Sequence, residues 1–508
     1  MISRIDSIKP VKFFLFLKRR WEKVLFLFTG SMLIMISYSI RFRLLQMNKF
    51  NPDEFEHLHT AWCITKGLIP YRDFFEHHTP LFYYFLAPLV RLFQVETSVD
   101  DAISMIFFAR TAMWMMTGGI VILTFYLGLA WRGWHVGLIS AVFLMNAVMF
   151  LEKSLEIRPD VFALLCWMGS LVFLIYGLRS RDMCAGRSRM LFFSSGFFLG
   201  IAIMSTQKML FAVPGVAVTL AWYALDSRLT RTKRIKRLDI LCYFLGAGLI
   251  TLAVTGYFAF HNGFGAFIEW NLLFNVSYLA RVEPHIYLRQ LVRQNPFIMI
   301  LGAMGLLHTA FMMYRTVKRS DFMLLLHCAG FLIGMYIIPV PYAQYFMLFI
   351  PLICLFAAGF LVDSLDWVTH FRHFVSELSV PYKIYSTALF VTGLYIISTA
   401  LDITSPQEVI PAFWLMILFG IAAAVYFAVS YRVYAGATLL IAVFSVYPAR
   451  QLYDSISSGN TEQLAMVRYV MEHTKPGDTV MDGWPGYAIF RPHAHFFWIF
   501  HHEFRMMY

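Results

Sequence analysis

Apolar runs close to the length that crosses a bilayer recur from one end of this 508-residue chain to the other. A membrane's hydrocarbon core asks for about 20 apolar residues per helix, and inside it every backbone polar group must find its partner within the protein. Charged residues make up only 14% of the chain and hydrophobic ones 59%, whereas a soluble domain carries about 25% charged residues. The chain therefore reads as an all-α polytopic membrane protein. About 13 transmembrane helices fit best, near 24–46, 104–130, 136–151, 161–177, 191–205, 209–225, 239–261, 296–314, 322–338, 345–363, 383–400, 409–430 and 433–446.

The net charge of +12 does not point to nucleic acid, because the basic residues gather in short clusters between apolar runs. One cluster holds Arg179, Arg181, Arg187 and Arg189, another Lys233, Arg234, Lys236 and Arg237, and a third Arg315, Lys318 and Arg319. The positive-inside bias puts these clusters in the cytoplasm. With them goes the N-terminus, leaving the C-terminus extracytoplasmic in a plasma (inner) membrane. Lys18, Arg19, Arg20 and Lys23 precede the first span without a small-residue cleavage site, as in a retained signal anchor. Of the six cysteines only Cys63 falls outside, so no disulfide framework is expected.

This topology divides the chain into a transmembrane domain, 1–446, and a short extracytoplasmic segment, 447–508. Within the first, 47–103 and 262–295 form large external loops. The run 81–93 is too short to span and reads as an interfacial or re-entrant helix. There is no internal repeat, no G-x-x-x-x-G-K-[ST] and no strand-linked G-x-G-x-x-G. That excludes P-loop hydrolysis of ATP and a Rossmann site for a sugar nucleotide.

Carboxylates next to a bilayer are costly and mark function, and the first external loop is rich in them. Asp53 and Glu54 follow Pro52 and open a short helix, since proline and acids both favour a helix start. Asp53, Glu56, His57 and Thr60 share one helical face, with Glu54 pointing elsewhere. Asp73, Glu76, His77 and His78 follow. Glu156, Arg158 and Asp160 lie in a tight turn between two spans, and Lys208 in another. All four groups meet the same membrane surface. Carboxylates that can take a proton and cations that can hold phosphate suit group transfer from a phosphate to a hydroxyl or amine.

The same residues also suit plainer roles. Asp53 and His57 fit a capped surface pair, and Lys208 fits a side chain snorkelling from a helix end, as Arg41, Arg43 and Arg91 are expected to do. Asp53, Glu56, His57, His77 and His78 leave a divalent metal open, yet their spacing matches no standard zinc pattern; no metal or other cofactor is required by this reading. His493, His495, His501, His502 and Glu503 read as an aromatic and basic stretch at the bilayer surface.

Taken in order, Asp53-Glu54, Tyr71 to Pro80, Arg158-Pro159-Asp160, Ser205 to Lys208 with Pro214, and Pro341 to Phe346 with Pro351 resemble the GT-C glycosyltransferases. The likeness is to the dolichyl-phosphate-mannose protein mannosyltransferases and the aminoarabinose transferases of lipid A. Gln463 to Asp482 is similar to the helix, turn and strand that begin that family's outer domain. The resemblance implies an inverting enzyme that takes a sugar from a polyprenyl-phosphate donor and gives it to a lipid, glycan or protein acceptor. By it Asp53 is the base and Glu54 its support. Glu76, His77 and His78 lie near the donor head group. Arg158, Lys208 and Tyr345 bind phosphate, and Asp160 contacts sugar or holds Arg158. The runner-up is a transporter or flippase of a lipid-linked saccharide, for which repeat symmetry and midplane charges would be expected.

Overall fold

The computed structural model describes residues 8–179, 185–225, 235–277, 282–315, 319–374, 459–483 and 486–498. The expected spans at 383–400, 409–430 and 433–446 lie outside the described residues, as do His501, His502 and Glu503.

A long first helix, α1 (Ile8–Met47), leads into α2 (Pro52–Thr65) and α3 (Leu81–Val90). The bundle proper begins with α4 (Val99–Arg132), α5 (Trp134–Asn146), α6 (Val148–Lys153) and α7 (Pro159–Arg179). It continues through α8 (Ala185–Ile203), a 3-10 turn (Gln207–Ala212), α9 (Val213–Leu225) and α10 (Arg237–Phe260). Two short pieces, α11 (Phe264–Ile268) and α12 (Phe274–Val276), flank a π-helical turn. Next come α13 (Pro284–Gln294), α14 (Pro296–Arg315), α15 (Arg319–Ile337), a 3-10 turn (Ala343–Leu348) and α16 (Ile350–Phe374). After the undescribed stretch, α17 (Thr461–His473) follows. Among the described residues only isolated β-bridges occur, with no strand.

Six of these segments are long and apolar enough to cross a membrane: Val99–Arg132, Pro159–Arg179, Gln207–Leu225, Arg237–Phe260, Pro296–Met313 and Ser320–Ile337. The protein is a multi-pass membrane protein. Helix α3 has only 10 residues, about 15 Å of rise against a core about 30 Å thick, as its length in the sequence implies.

Apolar tails of lipid give helices no hydrophobic reason to associate, so close packing does the work. Helix α8 lies between α7 and α10, and α14 packs on α16. Where α8 meets α10 the backbones nearly touch. A Cβ on Gly196 would come within 1.9 Å of Tyr243 O, and one on Gly246 within 2.2 Å of Phe193 O. Only glycine fits either place.

Three sequence expectations change here. The run 136–151 is not one helix; it breaks at Ala147, whose backbone is extended. The groups freed by the break are satisfied from elsewhere, as an apolar interior demands. Val148 N donates to Asn295 Oδ1 at 2.6 Å, and Arg41 donates to Met145 O at 3.0 Å and to Phe150 O at 3.3 Å. Arg41 therefore does not snorkel; it is fully buried and bridges the break. The tail also differs from its expected helix, turn and strand. Helix α17 and the turn at Lys475–Asp478 are present, but Val480 makes only an isolated bridge to His493.

The far end of α4 is tied by Arg132, which reaches Asp363 at 2.5 Å and Asp321 at 3.7 Å. The polar site sits at the other end of the bundle. There α17 docks on the chain between α1 and α2: Gln463 pairs with the backbone of Phe50, and Asn460 donates to Gln46 O at 2.7 Å.

Candidate active site

The start of α2 is built by a capping box. Asn51 accepts from Asp53 N at 3.1 Å, Glu54 accepts from Asn51 N at 2.9 Å, and Pro52 takes the first helical position, where its missing N–H costs nothing. This puts Asp53 and Glu54 in different surroundings. Glu54 is fully buried, and its two oxygens also take Arg110 Nη2 at 2.7 Å, Arg110 Nε at 2.8 Å and Ile157 N at 3.1 Å. Arg110 donates further to Leu45 O, Asn48 O and Lys49 O. Glu54 therefore frames the site rather than facing it: it joins the turn before α2 to the loop before α7.

Asp53 points the other way. Its Oδ2 accepts from Arg158 at 2.8 Å, while 26% of its side chain stays exposed. Arg158 also holds Glu156, which takes Lys153 at 2.7 Å. Two residues on, Asp160 accepts from Lys208 at 2.9 Å. The ammonium of Lys208 lies over the ring of Tyr345, 3.4 Å from its centroid. The α7 start, the turn after α8 and the 3-10 turn before α16 thus meet at one place.

The loop after α2 supplies the other wall. Tyr71 adopts a positive φ of 70°, a strained conformation for a bulky residue, and its hydroxyl donates to His78 O. Glu76 is fully buried and accepts from His77 N at 2.8 Å, His78 N at 2.9 Å, His78 Nδ1 at 3.1 Å and Thr60 Oγ1 at 3.1 Å. The Tyr83 hydroxyl bridges the rings of His57 and His78. His77 O accepts from both Gln207 and Asn275 at 2.8 Å. Its Nδ1 is buried without a hydrogen-bond partner.

These contacts set the charges. Burial would raise Asp53, but the guanidinium of Arg158 holds it below the ordinary aspartate range. Burial likewise opposes ionisation of Glu76, yet His78 keeps it low. Glu56 goes the other way: burial, then the charges of Glu76 and Asp53, push it well above the ordinary range. Burial drives His57 and His77 down to about 3. His57 and His77 are thus neutral, Asp53 and Glu76 are ionised, and Glu56 holds its proton longest among the three acids.

Glu56, Glu76, His77 and His78 could share a cation, since their ligand atoms lie within 4.8 Å of one another. However, Glu76 already accepts four hydrogen bonds, so its charge is satisfied by the protein itself.

The structure pairs Asp53 with Arg158 and, two residues along α7, gathers Asp160, Lys208 and Tyr345, with Glu76, His77 and His78 on the loop after α2. Sequence reasoning missed Arg110, Tyr83 and Asn275. Only Arg110 left a signal, as a lone cation inside an apolar run.

No known family signature and no curated protein matches the sequence. Solved structures do match. ArnT from Cupriavidus metallidurans bound to undecaprenyl phosphate superposes with a TM-score of 0.60 at 14% identity, over 92% of this chain and 85% of that one. The archaeal oligosaccharyltransferase AglB from Archaeoglobus fulgidus, in complex with an inhibitory peptide and a dolichol-phosphate, superposes at 0.53 and 13% identity. That match covers 88% of this chain but only 58% of AglB. Both are members of the GT-C superfamily, and the GT-C fold is the fold of this chain.

Proposed function

We propose that the protein is an inverting glycosyltransferase that moves a sugar from a polyprenyl-phosphate donor to a hydroxyl or amine acceptor at the outer face of the membrane. The observation that carries this reading is the ion pair of a part-exposed, ionised Asp53 with the buried Arg158, two residues from Asp160, which holds the buried Lys208. The fold shared with proteins bound to undecaprenyl phosphate and dolichol-phosphate supports it.

In the reaction, the acceptor oxygen or nitrogen attacks the anomeric carbon. The bond from that carbon to the phosphate oxygen breaks, its electron pair leaves with the phosphate, and the acceptor's proton passes to Asp53. One displacement inverts the configuration. Arg158 and Lys208 bind the charge that grows on the phosphate, beside the positive start of α7. Tyr345 carries Lys208 on its ring, and Asp160 orients it. The orphaned His77 Nδ1 offers a contact for the donor's head group. None of these steps is routed through a metal ion. A divalent metal at Glu56, Glu76, His77 and His78 would have to displace hydrogen bonds already made.

Turnover of a panel of labelled polyprenyl-phosphate sugars by purified protein, beside Asp53→Asn, tests the reading. Sugar transfer by the wild type alone supports it and names the donor. No turnover of any donor by the wild type, with saccharide lipids still exchanged between leaflets, would make the protein a transporter.

A further inference from the structure

We propose that His59, Cys63 and His493 form a zinc-type metal site that joins α2 to the C-terminal segment. His59 and Cys63 are one turn apart on the buried face of α2, and His493 reaches them from 434 residues along the chain. The sequence alone put His493 in a surface stretch; the structure packs it against His59.

The three donor atoms already form a metal-sized triangle. His59 Nε2 is 3.0 Å from His493 Nδ1 and 3.4 Å from Cys63 Sγ, and Sγ is 3.9 Å from His493 Nδ1. A tetrahedral zinc with ordinary bond lengths places N and N about 3.3 Å apart and N and S about 3.6 Å apart. The observed edges depart from these by only a few tenths of an ångström.

The surroundings are those of a ligand set. His59 Nδ1 donates to Ile489 O at 2.7 Å, which fixes the tautomer and turns the lone pair of Nε2 toward the triad, as an outer partner does for a metal-bound histidine. The backbone around His493 is held by Val480, which donates to Pro492 O and accepts from Ala494 N. Trp498 covers the His59 ring at 4.2 Å between centroids. Three protein ligands leave a tetrahedral position for water, and a small cleft lined by His59, Asp482, His493 and Trp498 borders the triad. Two imidazoles and a thiolate favour zinc over magnesium or calcium.

Such a metal would steady the loop that carries Glu76. Both backbone groups of Phe75 are held by the C-terminal segment: its N donates to Phe496 O at 2.9 Å, and its O accepts from Trp498 at 3.2 Å. Fixing His493 to α2 fixes that clamp.

Cobalt(II) titration of the purified, chelator-treated protein tests the site. The expected result is one Co²⁺ per chain, with the visible bands of a tetrahedral ion and a thiolate-to-cobalt band in the near ultraviolet. Cys63→Ser should abolish the near-ultraviolet band, and His493→Ala should weaken binding at least about tenfold. Glu76→Gln should leave the spectrum unchanged. Absence of the thiolate band, its survival in Cys63→Ser, or loss of cobalt binding in Glu76→Gln instead would overturn the site. Should Cys63→Ser fail to fold, His493→Ala decides alone: unchanged affinity overturns the proposal.

Discussion

Arg110 grips both carboxylate oxygens of Glu54, at 2.7 and 2.8 Å, with neither side chain more than 2% exposed. The pair fixes the turn from which α2 and Asp53 start. Removing one partner of a buried pair leaves a stranded charge and costs about 3–5 kcal/mol. Glu54→Gln should therefore lower the thermal unfolding temperature of the detergent-solubilised protein well beyond the effect of surface substitutions. Arg110→Leu should lower it further, since it also orphans the carbonyls of Leu45, Asn48 and Lys49. Equal, small effects from both would mean that the pair carries no load.

Asp53 sits one residue away and faces the open side, so its loss should act on rate rather than on folding. Asp53→Asn keeps size and hydrogen-bonding shape but cannot take a proton. Turnover should fall by about 10²–10⁴-fold, with the unfolding temperature and donor affinity close to wild type. A parallel loss of affinity and turnover would remove Asp53 from the role of base.

Lys208 is proposed to meet the donor phosphate while resting on the Tyr345 ring. A charge-assisted hydrogen bond is worth about 1.5–3 kcal/mol, so Lys208→Ala should weaken donor binding roughly 10- to 100-fold. Tyr345→Phe keeps the ring and should leave affinity near wild type, whereas Tyr345→Ala should weaken it by loss of the cation–π contact. If Tyr345→Phe weakens binding as much as Tyr345→Ala, the hydroxyl, not the ring, is what counts. Calorimetry with a polyprenyl phosphate separates the two.

Much of this arrangement was legible in the chain. Span length sets most helices, and acids beside a bilayer stand out because they are expensive to keep. Pro52 and the acids after it announce α2. What escaped depends on partners far apart in sequence. Nothing local to 136–151 tells of the break at Ala147, because its compensation comes from Arg41 and Asn295. Arg41 looked like a snorkelling side chain because its acceptors are two backbone carbonyls and the hydroxyl of Ser154, more than 100 residues away, which leave no mark in a sequence. His59, Cys63 and His493 are invisible as a set for the same reason: their spacing along the chain follows no local motif, and only the docking of the C-terminal segment brings them together.

Arg158 should also set the acid limit of the reaction. Asp53 works as a base only when ionised, and the Arg158 guanidinium at 2.8 Å stabilises the ionised form. A depressed carboxylate stays charged until the pH falls below its lowered value. In the wild type, then, loss of kcat/KM from protonation of Asp53 should appear only below the ordinary aspartate value of about 3.9. Arg158→Gln removes the nearby cation while burial still disfavours charge, so the pKa must rise and the acid limb must move to higher pH. The maximal rate should drop as well, because the same guanidinium is proposed to hold the departing phosphate. The position of the limb reads the first effect independently of the second. A pH–rate profile at low donor concentration for both proteins gives it directly: a limb that stays put while the plateau falls would confine Arg158 to phosphate binding.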